Sequence, residues 1–283
     1  MKRYCGRDFP EQEICLLNRL ADQHPQRSRA QLSRMACRML GWLKPDGGLK
    51  EMSCRVAMLR MHREGLIRLP PPRNGKGGGR PRHTPQTDPQ PRFEQPVGQL
   101  PGLRLQRVET RPDSALWNEY IERYHYLGYT ALPGAQLRYM ACSQGRILAL
   151  LGFGAAAWKT APRDRFIGWS PEKRQHNLHL VVNNARFLIL PWVRSPNLAS
   201  KLLSLAARRL CQDWMQRYAY RPALLETFVE ERFTATCYKA ANWTCVGKTQ
   251  GRGKLDRYQK AQLPIKSIWL YPLHKHFRSI LCQ

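Results

Sequence analysis

The sequence predicts an α+β protein, a mixed sheet with flanking helices preceded by an N-terminal winged helix-turn-helix. Three observations lead there. Three helical patterns follow one another over residues 1–70, separated by short breaks. From Leu103 onward, strand-like and helix-like segments alternate without an evident internal repeat. Between them, residues 71–102 are too rich in Pro and Gly to pack and read as a basic, mobile linker. The expected layout is therefore a DNA-binding domain over 1–70, that linker, a core domain over 103–262 and a C-terminal tail over 263–283.

The 283 residues suffice for one substantial core and a small accessory domain. A formal charge of +27, from 47 Lys and Arg against 20 Asp and Glu, sets up a field that attracts polyanions. Nucleic acid is the expected partner. No apolar run of membrane-spanning length exists, and the opening MKRYCGRDFPEQE lacks the apolar stretch of a signal peptide, so a cytoplasmic protein without membrane partners is expected. Nine cysteines without CxxC spacing are expected to be reduced, and His125, His176 and His179 fall in no tight Cys/His cluster of the kind zinc requires.

Asp8 or Phe9-Pro10 begins the first helix, in which Ile14, Leu17 and Leu20 share a face, and His24-Pro25 ends it. Ser28 caps the second, where Leu32, Met35, Ala36, Met39 and Leu40 keep helical spacing and Gly41 sits near the stop. LKPDGG is the turn. The third helix, about Leu49 to Glu64, is expected to bury Met52, Val56 and Leu59 and to present Lys50, Ser53, Ala57 and Arg60. A recognition helix fits the major groove, so Lys50 and Arg60 are expected to meet phosphates or guanine. GLIRLP supplies a wing strand. In the linker, Gly79, Arg80, Pro81 and Arg82 resemble the core of an AT-hook, whose extended backbone lays arginines in the minor groove.

In the core domain a helix from about Ser114 to Tyr124 runs into RYHYLGY, where three tyrosines and His125 crowd a turn. QLRYMACS and RILALLGFGAAAW form a hairpin joined at Gln144-Gly145. A loop carries Asp164, Trp169 and Arg174, and a strand spans Asn184 to Pro191. The next helix has Ser195 as its cap, Pro196 in its first turn and Leu198, Leu202, Leu205 and Leu210 as its packing stripe. A buried strand from Ala223 to Val229, a short helix and a second strand lead into a cationic Gly loop.

Several residues in this domain carry chemistry. Glu226 interrupts an apolar strand, and a charge there needs a partner, a shifted pKa or a ligand. A metal-dependent nuclease would draw on His125, Asp164, Glu226 and Glu230, with Asp164 and Glu226 as Mg²⁺ ligands. Glu226 and Glu230 would stand about 13 Å apart on one strand face, too far to share one ion directly. Lys248, Arg252 and Lys254, set among glycines in VGKTQGRGK, suit phosphate gripping, because glycine permits close approach while the cations neutralise charge. This loop lacks the Walker A pattern, which disfavours nucleotide hydrolysis. Trp158, Trp169, Tyr126 and Tyr129 are candidates for a base-stacking platform.

The order hairpin, strand, helix, strand, helix, strand resembles the GNAT acyltransferase fold over roughly Leu103 to Lys254. RSPNLA, with Arg194 and Ala199, is similar to that fold's phosphate loop, and YKAANW to its Tyr-x-x-x-Gly-Phe ending, which implies a general-acid role for Tyr238 and a phosphate contact for Arg194. Asn197 replaces a glycine, Pro196 removes a backbone N–H, Asn242-Trp243 stand for Gly-Phe, and NARFLILPWV carries no carboxylate base. Acetyl-coenzyme A is accordingly not the favoured cofactor.

A closer resemblance runs through HYLGY, GFGAAAWKTAPRDRFIGW, NNARFLILPWVRSPNLASKLL, ETFVEERFTATCYKAANWTCVGKTQGRGK and IWLYPLHKHFRSILC. These blocks are similar to the DruA family of the Druantia anti-phage defence systems, some members of which accompany transposase-like proteins. The resemblance implies a role in defence or mobile DNA beside a helicase or transposase. The expected function is DNA binding within such a system, with a nuclease and an N-acetyltransferase as the enzymatic alternatives.

Overall fold

Buried apolar residues gather into one cluster within the first seventy residues and two clusters beyond them. The computed structural model, which describes every residue except 45–46, 73–79 and 253–262, divides into the units Met1–Gly79 and Arg80–Gln283.

The first unit opens with a hairpin of β1 (Lys2–Tyr4) and β2 (Arg7–Phe9), turned through Cys5 and Gly6, both at positive φ. Helices α1 (Glu11–Gln23), α2 (Arg29–Met39) and α3 (Glu51–Arg63) follow. Ser28 caps α2 as expected, in a reciprocal box: its Oγ accepts from Gln31 N at 3.3 Å, and Gln31 Oε1 accepts from Ser28 N at 2.9 Å.

Two expectations fail in this unit. Helix α3 buries Cys54, Ala57, Met58 and Met61 and leaves Met52 at 57% and Val56 at 40% exposure, so the inward face is not the one assigned from sequence. Both stripes have helical spacing. The observed one packs against Ala36 and Cys37 in the same core. No strand forms over residues 65–70; Ile67 and Leu69 fill the core instead, and Leu69 N donates to His62 Nδ1. The strand pair of this unit thus precedes the helices.

In the second unit, residues 80–102 are not a tether. Thr87 and Phe93 are buried, Thr87 Oγ1 donates to Glu119 Oε1 at 2.6 Å, and Phe93 exchanges backbone hydrogen bonds with Trp192 and Arg194. A few anchoring side chains outweigh the Pro-rich composition. Then come β3 (Arg104–Arg107), α4 (Arg111–Tyr124), β4 (Leu137–Ser143) and β5 (Arg146–Ala155), with the β4–β5 turn at Gln144 and Gly145, φ 51° and 74°, as the sequence indicates. Short helices α5 (Ala161–Ile167) and α6 (Pro171–Asn177) replace the expected loop.

The chain continues with β6 (Val181–Ile189), α7 (Leu198–Tyr218), β7 (Leu224–Glu230), α8 (Thr236–Ala240), β8 (Thr244–Lys248), β9 (Lys266–Pro272) and α9 (Phe277–Cys282). Ser195 does not cap α7. Asn197, at φ 63°, holds that position, and Ser195 Oγ is buried without a hydrogen-bond partner among the described residues.

The seven strands lie in the order β3-β4-β5-β6-β7-β9-β8, antiparallel throughout except for the parallel pair β6–β7. Strand β9 lies in what the sequence presented as a tail, yet it pairs along all of β7 and separates it from β8. Its apolar run, Ile268, Trp269 and Leu270, is buried, which explains why the sheet takes it in.

Candidate functional site

Strands β6 and β7 pair in parallel over three positions, Val181 to Asn183 against Leu224 to Glu226. Beyond these, β6 follows β5 and β7 follows β9, so the two strands part company. The gap opens at their carboxyl ends, where open sheets with parallel strands place ligands. It forms a cavity of about 730 Å³ lined by Asn183 to Ile189, Thr227 to Val229, Tyr124 to Leu127, Phe233 to Tyr238 and Lys266.

One wall is locked by hydrogen bonds. Tyr238 Oη donates to Asn184 Oδ1 at 2.8 Å, Thr227 Oγ1 donates to the Asn184 carbonyl at 3.0 Å, and Asn184 Nδ2 donates to the Arg186 carbonyl at 3.2 Å. Burial pushes the Tyr238 phenol up, so it stays protonated at neutral pH.

The opposite face of β6 carries a cation. A bulge between Gly152 and Phe153 pairs Gly152 with Arg186 and Phe153 with Asn184, leaving Ala185 without a partner in that register. Because Asn183 pairs with Gly154, the bulge brings Arg186 to the same face as Asn183. Gly152 makes room there: a Cβ on it would lie 3.0 Å from the Trp117 ring and 3.2 Å from Arg186 Cβ. Arg186 Nη1 donates to the Ala185 carbonyl at 2.8 Å, whereas Arg186 Nε and Asn183 Oδ1 are buried with no hydrogen-bond partner among the described residues.

His125 ends α4 at the rim. Its Nδ1 accepts from Leu127 N at 3.2 Å, and its ring stacks on Tyr126 with centroids 4.8 Å apart. Burial first and the Arg186 charge second lower its pKa to about 4 against an opposing pull from Glu230, so the imidazole is neutral at pH 7. Glu230 is paired with Arg232 at 3.1 Å and Lys266 at 3.3 Å. The Arg232 guanidinium lies over Tyr126 and Phe233, 4.5 and 4.9 Å from the ring centroids.

Of the sequence candidates, His125 and Tyr238 line this cavity, with Glu230 at its edge. Asp164 and Glu226 stand elsewhere, around Arg163. Glu226 accepts from Ala157 N at 2.7 Å and Arg163 Nη1 at 2.8 Å, while Asp164 accepts from Arg163, Arg174 and Trp169. The guanidinium occupies the place a bridging Mg²⁺ would take. Burial raises the Glu226 carboxyl, and Arg163 pulls it back. Among the described residues, no group of three His, Cys, Asp or Glu is arranged to hold a metal ion.

The cationic candidates are dispersed. Lys50 is half-buried at the start of α3, whereas Arg60, Arg82, Arg194 and Arg252 are exposed. Arg80 lies 3.5 Å from Glu122, Lys248 pairs with Glu231 at 2.7 Å, and Lys254 falls outside the described residues, as does Gly79 of the AT-hook-like tetrapeptide. Trp169 is buried on Asp164, Trp158 is exposed, and no ring contact joins these two with Tyr126 and Tyr129. Sequence reasoning gave no role to Arg186, Asn183 or Phe233. The available signal was an arginine inside the apolar strand NNARFLIL.

The model of the Druantia protein DruA family matches residues 63–263, and the chain belongs to that family. No curated protein matches. Among solved structures, the chain is similar to the spermidine/spermine N-acetyltransferase SpeG from Vibrio cholerae, at 12% identity over 62% of this chain and 96% of that one, with a TM-score of 0.40. It is also similar to a GNAT-family acetyltransferase from Streptococcus pneumoniae, at 13% identity over 60% of this chain and 100% of that one, with a TM-score of 0.38. No helix among the described residues is long and apolar enough to cross a membrane.

Proposed function

We propose that this member of the Druantia protein DruA family serves its defence system by binding DNA, gripping phosphates with cations on both units. The observation that carries this reading is the scarcity of acidic partners for its cations. On α7, Lys201 and Arg208 stand seven residues apart, two turns along one exposed face, and make no ion pair with a described acid. Arg194 precedes that helix, exposed in the same way. Unpaired surface cations repel one another, and a polyphosphate relieves that repulsion by exchanging its own counterions for them.

In this reading Arg80, Arg82, Lys248, Arg252 and Lys254 add phosphate contacts, and the three-helix first unit engages duplex DNA through Lys50 and Arg60 on α3. A helicase or transposase-like partner supplies any strand cleavage or remodelling. The chemistry at Asp164 and Glu226 favours a structural ion pair over a metal site, which is why binding is preferred to nuclease action.

The test is incubation of the full chain with labelled single-stranded, duplex and branched DNA, with and without Mg²⁺ or Mn²⁺. Shifted complexes that weaken steeply with salt, and DNA of unchanged length, are expected. Absence of any complex at low ionic strength would sink the proposal, and metal-dependent shortening of the DNA would replace it with a nuclease.

A further inference from the structure

We propose that the cleft between β6 and β7 receives a single unstacked nucleobase of single-stranded DNA, stacked against Tyr126 and Phe233 and met along its edge by Arg186 and Asn183. This deepens the DNA-binding reading and rests on it.

The mouth of the cleft is an aromatic and cationic surface held ready. Tyr126 and Phe233 remain 45% and 44% exposed, with ring centroids 5.2 Å apart, and Arg232 covers both. Arg232 is itself fixed by Glu230. The two ring planes are tilted by 52°, so a base lies flat on one ring and meets the other with its edge, displacing the solvent-exposed Arg232 guanidinium, which can then stack on the base's outer face.

Deeper in, the unpaired polar atoms are one donor, Arg186 Nε, and one acceptor, Asn183 Oδ1, on the same face of β6. Leaving such groups unsatisfied costs stability, of order 1–3 kcal/mol each, so they point to a ligand presenting an acceptor and a donor. The edge of a nucleobase does so. An acyl group and an ionised phosphate present acceptors alone, so either answers Arg186 Nε but leaves the Asn183 oxygen without a donor. A cavity of about 730 Å³ lies within the range that small-molecule sites occupy and is roomy enough for a nucleoside. His125 adds a further donor at the rim, since its Nδ1 accepts from Leu127 and the proton therefore sits on Nε2.

The probes are two single-stranded oligonucleotides of equal length and charge, one abasic throughout and the other carrying a single base at its centre. The protein should bind the base-bearing strand roughly five- to a hundredfold more tightly than the abasic one. The Tyr126→Ala/Phe233→Ala and Arg186→Met variants should lose that preference and keep their affinity for the abasic strand, whereas Tyr126→Trp should retain the preference. Neither Tyr126 nor Phe233 belongs to the buried apolar clusters, so their removal leaves those clusters intact. Equal binding of the two strands by the wild type, or a preference that survives both variants, overturns the base site and leaves DNA binding standing. Failure to bind either strand at low ionic strength overturns both.

Discussion

Arg163 and Glu226 face each other with no solvent around either side chain: Nη1 lies 2.8 Å from Oε2, and neither is exposed. Asp164 completes the group from the other side of the guanidinium, at 2.8 Å. A buried pair of this kind holds the α5 segment to β7, and removing one member strands the other charge. Glu226→Gln should therefore cost about 3 kcal/mol of unfolding free energy, and the Arg163→Met/Glu226→Leu double variant should cost less than the sum of its parts. Urea denaturation of Glu226→Gln, of the double variant and of its component singles Arg163→Met and Glu226→Leu measures this. A Glu226→Gln protein as stable as the wild type would show that the carboxylate does not serve the fold.

Gly152 sits where β5 must pass close under Trp117 and Arg186. A methyl group there would stand 3.0 Å from the Trp117 ring, which is fully buried and has no room to retreat. Gly152→Ala should cost about 1–3 kcal/mol by overpacking and displace Arg186 from the cleft. Thermal or urea denaturation reads the first effect. The second appears as a reduced preference for a base-bearing single strand over an abasic one, and a variant with wild-type stability would show that the bulge tolerates a side chain.

The parts of this fold legible in the sequence were those specified locally. Ser28 announces α2, and Gln144-Gly145 announces the β4–β5 turn, because helix caps and tight turns involve neighbouring residues alone. What stayed hidden depends on distant partners. The inward face of α3 was ambiguous because two stripes share its period, and only packing against α2 selects Ala57 and Met61 over Met52 and Val56. Residues 80–102 read as a linker because their anchors, Thr87 on Glu119 and Phe93 on Trp192, are single side chains in a Pro-rich stretch. The candidate site divides in the same way. His125 and Tyr238 were found by type and motif, whereas Arg186 reaches the cleft through a bulge whose register no local pattern reveals.

Lys201 and Arg208 offer a direct test of the proposed phosphate gripping, because neither is tied to a described acid, whereas Lys248 is paired with Glu231. The Lys201→Ala/Arg208→Ala variant should lower the slope of log affinity against log salt for single-stranded DNA by roughly 1.4, about 0.7 for each lost contact. Lys248→Ala should change it less, since the surface pair already offsets its charge. Fluorescence anisotropy over a salt series gives the slopes. A double variant with the wild-type slope would remove α7 from the proposed DNA-binding surface.

His125 couples stability to acid. Its folded-state pKa, lowered to about 4 by burial with Arg186 adding to the shift, lies below the unfolded value near 6.5. Between these values the unfolded chain binds the proton and the folded chain does not, so stability falls as pH falls across that window. The contribution is fully present above the unfolded pKa, declines through the interval and is flat below about 4. Its span is at most about 3.5 kcal/mol. His125→Asn keeps an acceptor for Leu127 N and cannot titrate. Its unfolding free energy, measured against the wild type from pH 7 to 4, should therefore decline by the smaller amount. Parallel curves for the two proteins would show that the folded-state pKa of His125 is not lowered, and that the imidazole takes up its proton without leaving the rim of the cleft.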